Sequence, residues 1–386
     1  MPLNFSDRTA WNHSQNALTQ ALESKRREQI PVIDLTVSNP TLCEFDYTKN
    51  PLFQNLNDTQ NKIYQPNPQG LLAAREAVAR YYADKNIEVS PGQIFLTSST
   101  SEAYTYLFRL LGNVGDKILA PSPGYPLFDT LAELNDLSIQ KYALCYEKTW
   151  RLDDQSLANF SEIRPKALIW VNPNNPTGNF ASADEREILN HFSLQNSCPL
   201  IIDEVFLDFC WEGGAKAKSF AGNKKSLTFT LSGISKILGL PQMKLSWIVV
   251  SGPQEAAAEA CRRLEVIADA HLSVGTPVQH ALPGWLENRK VVISEILSRV
   301  QKNYFELLKI TAPHAKVKVL NASGGWYAAL KIDGIQDEKF GVRLLKEKNV
   351  LVHPGYLFDF DEEDVIVVSL LLPGEQFTRG ICRVME

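Results

Sequence analysis

The stretch Ser226-Leu227-Thr228-Phe229-Thr230-Leu231-Ser232-Gly233-Ile234-Ser235-Lys236 sets a lysine directly after a short, β-branched and apolar run. Such a run fits a strand buried on both faces. Burial of a lysine at its end disfavours the ammonium form and makes the amine a better nucleophile. Lysines near strand ends also commonly stretch out to water, so the stretch gains meaning only from what surrounds it.

Working outward, runs of the same kind occur at residues 94–97, 117–120, 166–171, 200–206 and 245–250, with helical patterns between most of them. Alternating strands and helices with near-continuous apolar strands predict a mainly parallel sheet covered on both faces. Further on, a long helix from residue 283 or 288 to 308 bridges to strands near 317–320, 326–332 and 365–372 and a helix near 338–348. These form a smaller α+β domain. Upstream, residues 1–10 form an extended arm, 16–27 an amphipathic helix, 30–37 a short strand and 71–84 a helix. The expected division is 1–40 as an arm and part of the small domain, 41–285 as the large domain, and 286–386 as the C-terminal small domain.

Composition bounds the function. A chain of 386 residues is long for one domain. The net charge of -5 argues against a nucleic-acid surface or an anionic membrane partner. No apolar run approaches the length of a spanning helix, and the first residues lack the apolar core of a signal peptide. Cys43, Cys145, Cys198, Cys210, Cys261 and Cys382 are scattered without a CxxC pair, which predicts reduced thiols, a cytoplasmic protein and no metal site.

Four polar features fall at strand ends, where open α/β sheets hold their ligands: Ser99-Thr100-Ser101, the segment from Asn172 to Gly178, Asp203 and Lys236. The hydroxyl triplet at a helix start is either a cap or a phosphate cradle. The Asn/Pro/Gly segment is either a turn or a binding loop. Asp203 follows two isoleucines in a buried strand, and a buried carboxylate requires a cationic partner, which a protonated pyridine nitrogen would supply.

In this order, Asn172-Pro173-Asn174-Asn175-Pro176-Thr177-Gly178, Asp203-Glu204 and Ser235-Lys236 resemble the pyridoxal-phosphate aminotransferases of the class I/II group, fold type I. The resemblance spans nearly the whole chain. It implies a large domain with a mainly parallel sheet of the seven-stranded type between helices, a smaller α+β domain, and pyridoxal 5′-phosphate as cofactor. It implies that Lys236 forms the Schiff base and shuttles a proton, and that Asp203 keeps the pyridine nitrogen protonated. Asn175 would donate to the ring oxygen, Tyr125 would stack on the ring, and Ser99, Thr100, Ser101 and Ser235 would receive the phosphate. Tyr64 resembles the tyrosine that reaches the neighbouring subunit's cofactor, which implies a homodimer. Ser38, Asn39 and Asn175 are candidate substrate contacts, and residues 1–40 are placed to act as a lid.

Four departures from the family pattern stand out. Phe206 replaces a tyrosine that donates to the ring oxygen, which implies that the yellow protonated form persists to higher pH than usual. Lys244 stands where the family has a phosphate-binding arginine and lacks its fork. Gly233 replaces a serine three residues before the lysine, which leaves Ser232 or Ser235 to substitute for it. Val367, in Val367-Val368-Ser369, stands where an arginine clamps the substrate carboxylate; His353 and the backbone near Ser38 and Asn39 are alternative contacts. The expected activity is transfer of an amino group between an amino donor and a keto acid acceptor. A lyase, decarboxylase or racemase on the same scaffold is the alternative, and a non-catalytic binding protein a third reading.

Overall fold

The computed structural model describes residues 3–12, 14–47, 53, 56–211 and 218–386. Fourteen strands and twelve α-helices follow one another among them. The strands are β1 (Ile33–Asp34), β2 (Ile94–Thr97), β3 (Lys117–Ser122), β4 (Ser138–Tyr146), β5 (Trp150–Leu152), β6 (Ala167–Val171), β7 (Leu200–Asp203), β8 (Thr228–Gly233), β9 (Ser246–Ser251), β10 (Val317–Val319), β11 (Tyr327–Ile332), β12 (Val350–Leu351), β13 (His353–Pro354) and β14 (Val365–Ser369). The helices are α1 (Ala17–Arg27), α2 (Leu72–Ala83), α3 (Thr100–Leu111), α4 (Phe128–Glu133), α5 (Asp154–Ala158), α6 (Ala183–Asn196), α7 (Ile234–Ile237), α8 (Gln254–Asp269), α9 (Thr276–Glu287), α10 (Arg289–Thr311), α11 (Asp337–Arg343) and α12 (Gly374–Met385).

Eight strands form one sheet in the order β2-β9-β8-β7-β6-β3-β4-β5. Its centre, β8-β7-β6-β3-β4, is parallel, and β2, β9 and β5 pair antiparallel at the two ends. The apolar runs are explained by what covers them. Leu168, Trp170, Leu200, Ile202, Trp247 and Val249 point into one buried layer with α2, α6, α9 and α10. Ala167, Ile169, Ile201, Phe229, Leu231 and Ile248 point into the other, with α3, α4 and α8. Successive side chains thus alternate between two dry layers, so polarity does not alternate along the strand. The sheet has one strand more than the seven-stranded type because Trp150–Leu152 folds back as the edge strand on β4, which is largely half-buried.

The second domain holds a four-stranded antiparallel sheet, β10-β11-β14-β13, packed with α10, α11 and α12. The chain's N-terminal segment joins it: β1 pairs parallel with β12, Ile33 opposite Val350, and α1 packs on α11. Of the expected strand at 30–37, only two residues make a ladder. Of the two expected starts of the long helix, 283 is wrong and 288 is right to one residue, Asn288 being its N-cap. Pro283 lies inside α9, and the long helix α10 begins afresh at Arg289.

In the central sheet β3 has β4 on one side and β6 on the other. The connection reverses direction there, so loops leaving the carboxyl ends of β3 and β6 part and open a crevice. Tyr125 follows β3 and Asn175 follows β6. Asp203 ends β7, and Lys236 follows β8.

Candidate active site

These strand ends surround a cavity of about 130 Å³ lined by Lys236, Asp203, Asn175, Tyr125, Thr100, Ser235 and Phe206, together with Ser38, Val171, Val205, Gly233, Ser246 and Tyr327. That volume is roughly ten times what one water needs.

Lys236 is delivered by the one-turn helix α7, directly after β8. Its ammonium lies 5.5 Å from the ring centre of Phe206 and 5.1 Å from that of Trp326. Burial pushes its pKa down from 10.5 to about 8, against the opposing pull of Asp203. Asp203 is buried at the end of β7. It accepts hydrogen bonds from the backbone N–H of Val205 and the hydroxyl of Tyr104, both at 3.1 Å. Burial raises its pKa to about 6, held in check by Val205, Tyr104 and Lys236. An amine and a carboxylate, each driven towards neutrality, therefore face one cavity.

The three asparagines of the 172–178 segment divide their labour. Asn172 donates to the Lys218 carbonyl and accepts from Ala181 N–H, and Asn174 donates to the Pro123 carbonyl and the Thr177 hydroxyl. These two build the turn. Asn175 lines the cavity, and its buried side-chain oxygen has no hydrogen-bond partner. A buried, unpartnered amide costs free energy unless a ligand completes it.

The other candidates fall in different places. Thr100 and Ser235 line the cavity, whereas Ser99 caps α3, accepting from Glu102 N–H at 3.1 Å, and Ser101 is not in the lining. The Ser101 carbonyl accepts from the Thr105 hydroxyl inside the helix. Asn39 likewise turns away, its oxygen accepting from Thr41 N–H and Thr41 hydroxyl. Lys244 is exposed at a left-handed turn (φ 52°) and lies outside the cavity. Tyr64 is 73% exposed and lines a separate shallow depression with Asn67 and Leu272. Tyr125 lines the cavity with its ring edge-on to Phe128. Its phenol is pushed up to about 12 by burial, with Asp203 adding to the effect. Phe206 is packed edge-on against Trp326 at 5.2 Å and brings no hydroxyl. Val367 is fully buried within β14, opposite Ala329 and His353, and does not reach the cavity. His353 lines a different depression with Leu18 and Thr36.

Two lining residues carry no local sequence signal. Ser246 is one, and it explains Gly233: a Cβ at 233 would lie 2.3 Å from the Ser246 hydroxyl oxygen. Where β8 and β9 pinch together, one position must lack a side chain, and the hydroxyl is supplied across the ladder. Tyr327, at the start of β11, is the other.

Residues 6–370 match the family described as aminotransferase class I and II. The chain belongs to that family. Glutamate-pyruvate aminotransferase AlaA of Haemophilus influenzae is 25% identical over 345 residues, covering 86% of this chain and 84% of that protein. An aminotransferase from Escherichia coli superposes with a TM-score of 0.88 at 23% identity, covering 99% of this chain and 97% of the other. Alanine aminotransferase from Pyrococcus furiosus gives 0.89 at 21%, covering 98% of each chain. These two likenesses show the fold, with its large mainly parallel sheet and smaller antiparallel domain. The chain is an enzyme of the transaminase class, and pyridoxal 5′-phosphate is the cofactor of its family.

The residues present fit that cofactor. The aminotransferase cavity offers an amine for its aldehyde, a buried carboxylate for its ring nitrogen and, from Asn175, an amide NH₂ that can donate to a ring oxygen. The hydroxyls of Thr100, Ser235 and Ser246 are available for its phosphate.

Proposed function

We propose that amino transfer in this enzyme is carried by Lys236 and Asp203, with Asn175, Tyr125, Thr100, Ser235 and Ser246 holding the cofactor. The observation that carries this reading is the convergence of Lys236, Asp203 and the partnerless Asn175 amide on one cavity. Bound pyridoxal 5′-phosphate supplies an electron sink through which an amino group leaves one carbon skeleton and is passed to another. Asp203, anchored by Val205 N–H and Tyr104, stands as the fixed counter-charge to a protonated ring nitrogen. Lys236 is neutral often enough near pH 8 to take a proton from a substrate carbon and return it elsewhere. The Tyr125 ring provides an apolar face, and Phe206 and Trp326 keep water from the amine.

The lowered lysine pKa has a kinetic signature. A group with a pKa of about 8 is about tenfold more neutral at pH 9 than at pH 7, whereas an ordinary lysine gains about a hundredfold over that span. Uptake of pyridoxal 5′-phosphate by the unloaded protein, followed by absorbance, is expected to rise about tenfold between these pH values and then level off. A continuing climb beyond pH 10 would show that the amine is not perturbed.

We further propose that the working unit is a homodimer in the cytoplasm. Leu3, Phe5, Ile63, Tyr64 and Leu72 are exposed apolar side chains on the arm and the 56–72 segment, and a partner subunit would cover them. Cys43, Cys145, Cys198, Cys261 and Cys382 are free thiols, which suits a reducing compartment. The reaction and the assembly are tested together. The loaded protein is offered a panel of amino acids and keto acids while its absorbance is followed, and its mass is measured by sedimentation. A half-reaction that leaves the amino group on the cofactor supports transfer, whereas release of ammonia or carbon dioxide supports a lyase or decarboxylase. Sedimentation at a mass near 43 kDa would overturn the dimer.

A further inference from the structure

We infer that Tyr327, with Ser38, anchors the substrate's head group, and does so through neutral hydrogen bonds, so that the site binds amino acids and their uncharged carboxamides alike. This rests on the transaminase reading of the same cavity. Charge is the starting point. Among the described residues lining the cavity, Lys236 and Asp203 are the only groups that carry charge near neutral pH, and they are of opposite sign. Neither is available to a carboxylate, since both are committed to the cofactor. Cations in the surrounding elements are engaged elsewhere. Arg299 donates to the carbonyls of Cys43 and Leu371 at 3.2 Å and lies over Phe45. Lys141 bridges Asp129 and Asp359. A carboxylate entering the cavity is stripped of water and, among the described lining residues, meets no ammonium or guanidinium beyond Lys236.

What it meets is a phenol. Tyr327 opens β11 and is buried, its ring edge-on to Phe206 at 6.4 Å and 6.2 Å from Phe358. Tyr327 shares the cavity wall with Ser38. Every other described lining residue belongs to the large sheet and its loops. Tyr327 alone comes from the C-terminal sheet, and Ser38 alone from the N-terminal segment. The two thus bring hydroxyls to the cavity from outside the large sheet. Each hydroxyl is both donor and acceptor. The pair can turn its protons towards a carboxylate oxygen or an amide oxygen, or accept from an amide N–H. Such a wall recognises a hydrogen-bonding head group without demanding an anion.

The test uses the loaded enzyme and two probes that lack the α-hydrogen and cannot be turned over: 2-aminoisobutyrate and its carboxamide. Calorimetry is expected to give dissociation constants within about tenfold of each other, because neutral hydrogen bonds discriminate weakly between the two. Tyr327→Phe keeps the ring packing and is expected to weaken both probes by about tenfold. Its melting temperature and its borohydride-fixed adduct at Lys236 should match the unaltered protein. Ser38→Ala is expected to weaken both in the same direction by less. Binding of the acid about a hundredfold tighter than the amide, unchanged in Tyr327→Phe, would overturn the inference by showing that a full charge reaches the site from elsewhere. Loss of the fixed adduct in the unaltered protein would strike the transaminase reading instead, so the two failures are distinguishable.

Discussion

Exchanging Lys236 for alanine is expected to lower the rate of amino transfer by at least ~10⁴-fold, because one amine serves both as the cofactor's covalent anchor and as the proton carrier. Nothing in the packing resists the change. The side chain ends between the Phe206 and Trp326 rings, and among the described residues no hydrogen bond holds its ammonium. The variant should therefore fold, and its far-ultraviolet circular dichroism should be unchanged. Borohydride treatment of the loaded variant should fix no cofactor to the protein, while the unaltered enzyme is labelled at Lys236. A variant retaining more than about one hundredth of the activity would show that another base does the work.

Asp203→Asn is the second large effect. Asparagine is the same size: its side-chain oxygen can keep the bond that Asp203 Oδ1 accepts from Val205 N–H, while its NH₂ replaces the Oδ2 that accepts from the Tyr104 hydroxyl and would donate to that hydroxyl instead. The substitution therefore removes the charge, keeps the side chain's shape and reverses one hydrogen bond. Removing one partner of a buried ion pair costs about 3–5 kcal/mol, so the transfer rate and the hold on the cofactor together should fall by about 10²- to 4 × 10³-fold. Stability should move the other way. The folded pKa of Asp203, about 6, lies above the unfolded 3.8. Stability from this group is fully present below pH 3.8 and is lost as pH rises through about 6, so the burial cost is in force at neutral pH. The unloaded Asp203→Asn protein is accordingly expected to melt at or above the unaltered protein at pH 7.5, with the difference vanishing towards pH 4. A drop in melting temperature at pH 7.5 would mean that the charge holds the empty fold together.

What could be read from the chain, and what could not, follows physical lines. The central strands were legible because each is buried on both faces and carries an unbroken apolar run, as at residues 167–171 and 200–203. Strand β4 was not, because it lies near the sheet's edge and Ser138, Gln140 and Lys141 interrupt its pattern. Lys236, Asp203 and Asn175 stood out because each places a polar group where a strand end is expected. Turn chemistry did not separate Asn175 from Asn172 and Asn174, since all three suit a turn; the family resemblance did, and of the three only Asn175 lines the cavity. Ser246 and Tyr327 were invisible for a different reason. Each sits in an apolar strand and looks like core, and only the pairing of β8 with β9 and the docking of the C-terminal sheet bring them to the cavity. Gly233 stood out in the sequence as the place of a missing serine, and Ser246 explains it as a matter of space.

The pairing of β1 with β12 has a bearing on how the polypeptide matures. Ile33 finds its partner at Val350, roughly 300 residues later, and such distant contacts form late. During synthesis the central sheet can close as soon as β9 leaves the ribosome, while the leading segment that carries Ser38 still waits for its mate. The nascent enzyme would thus pass through a stage in which the pocket has its lysine and aspartate but neither of the hydroxyls that Ser38 and Tyr327 bring to it.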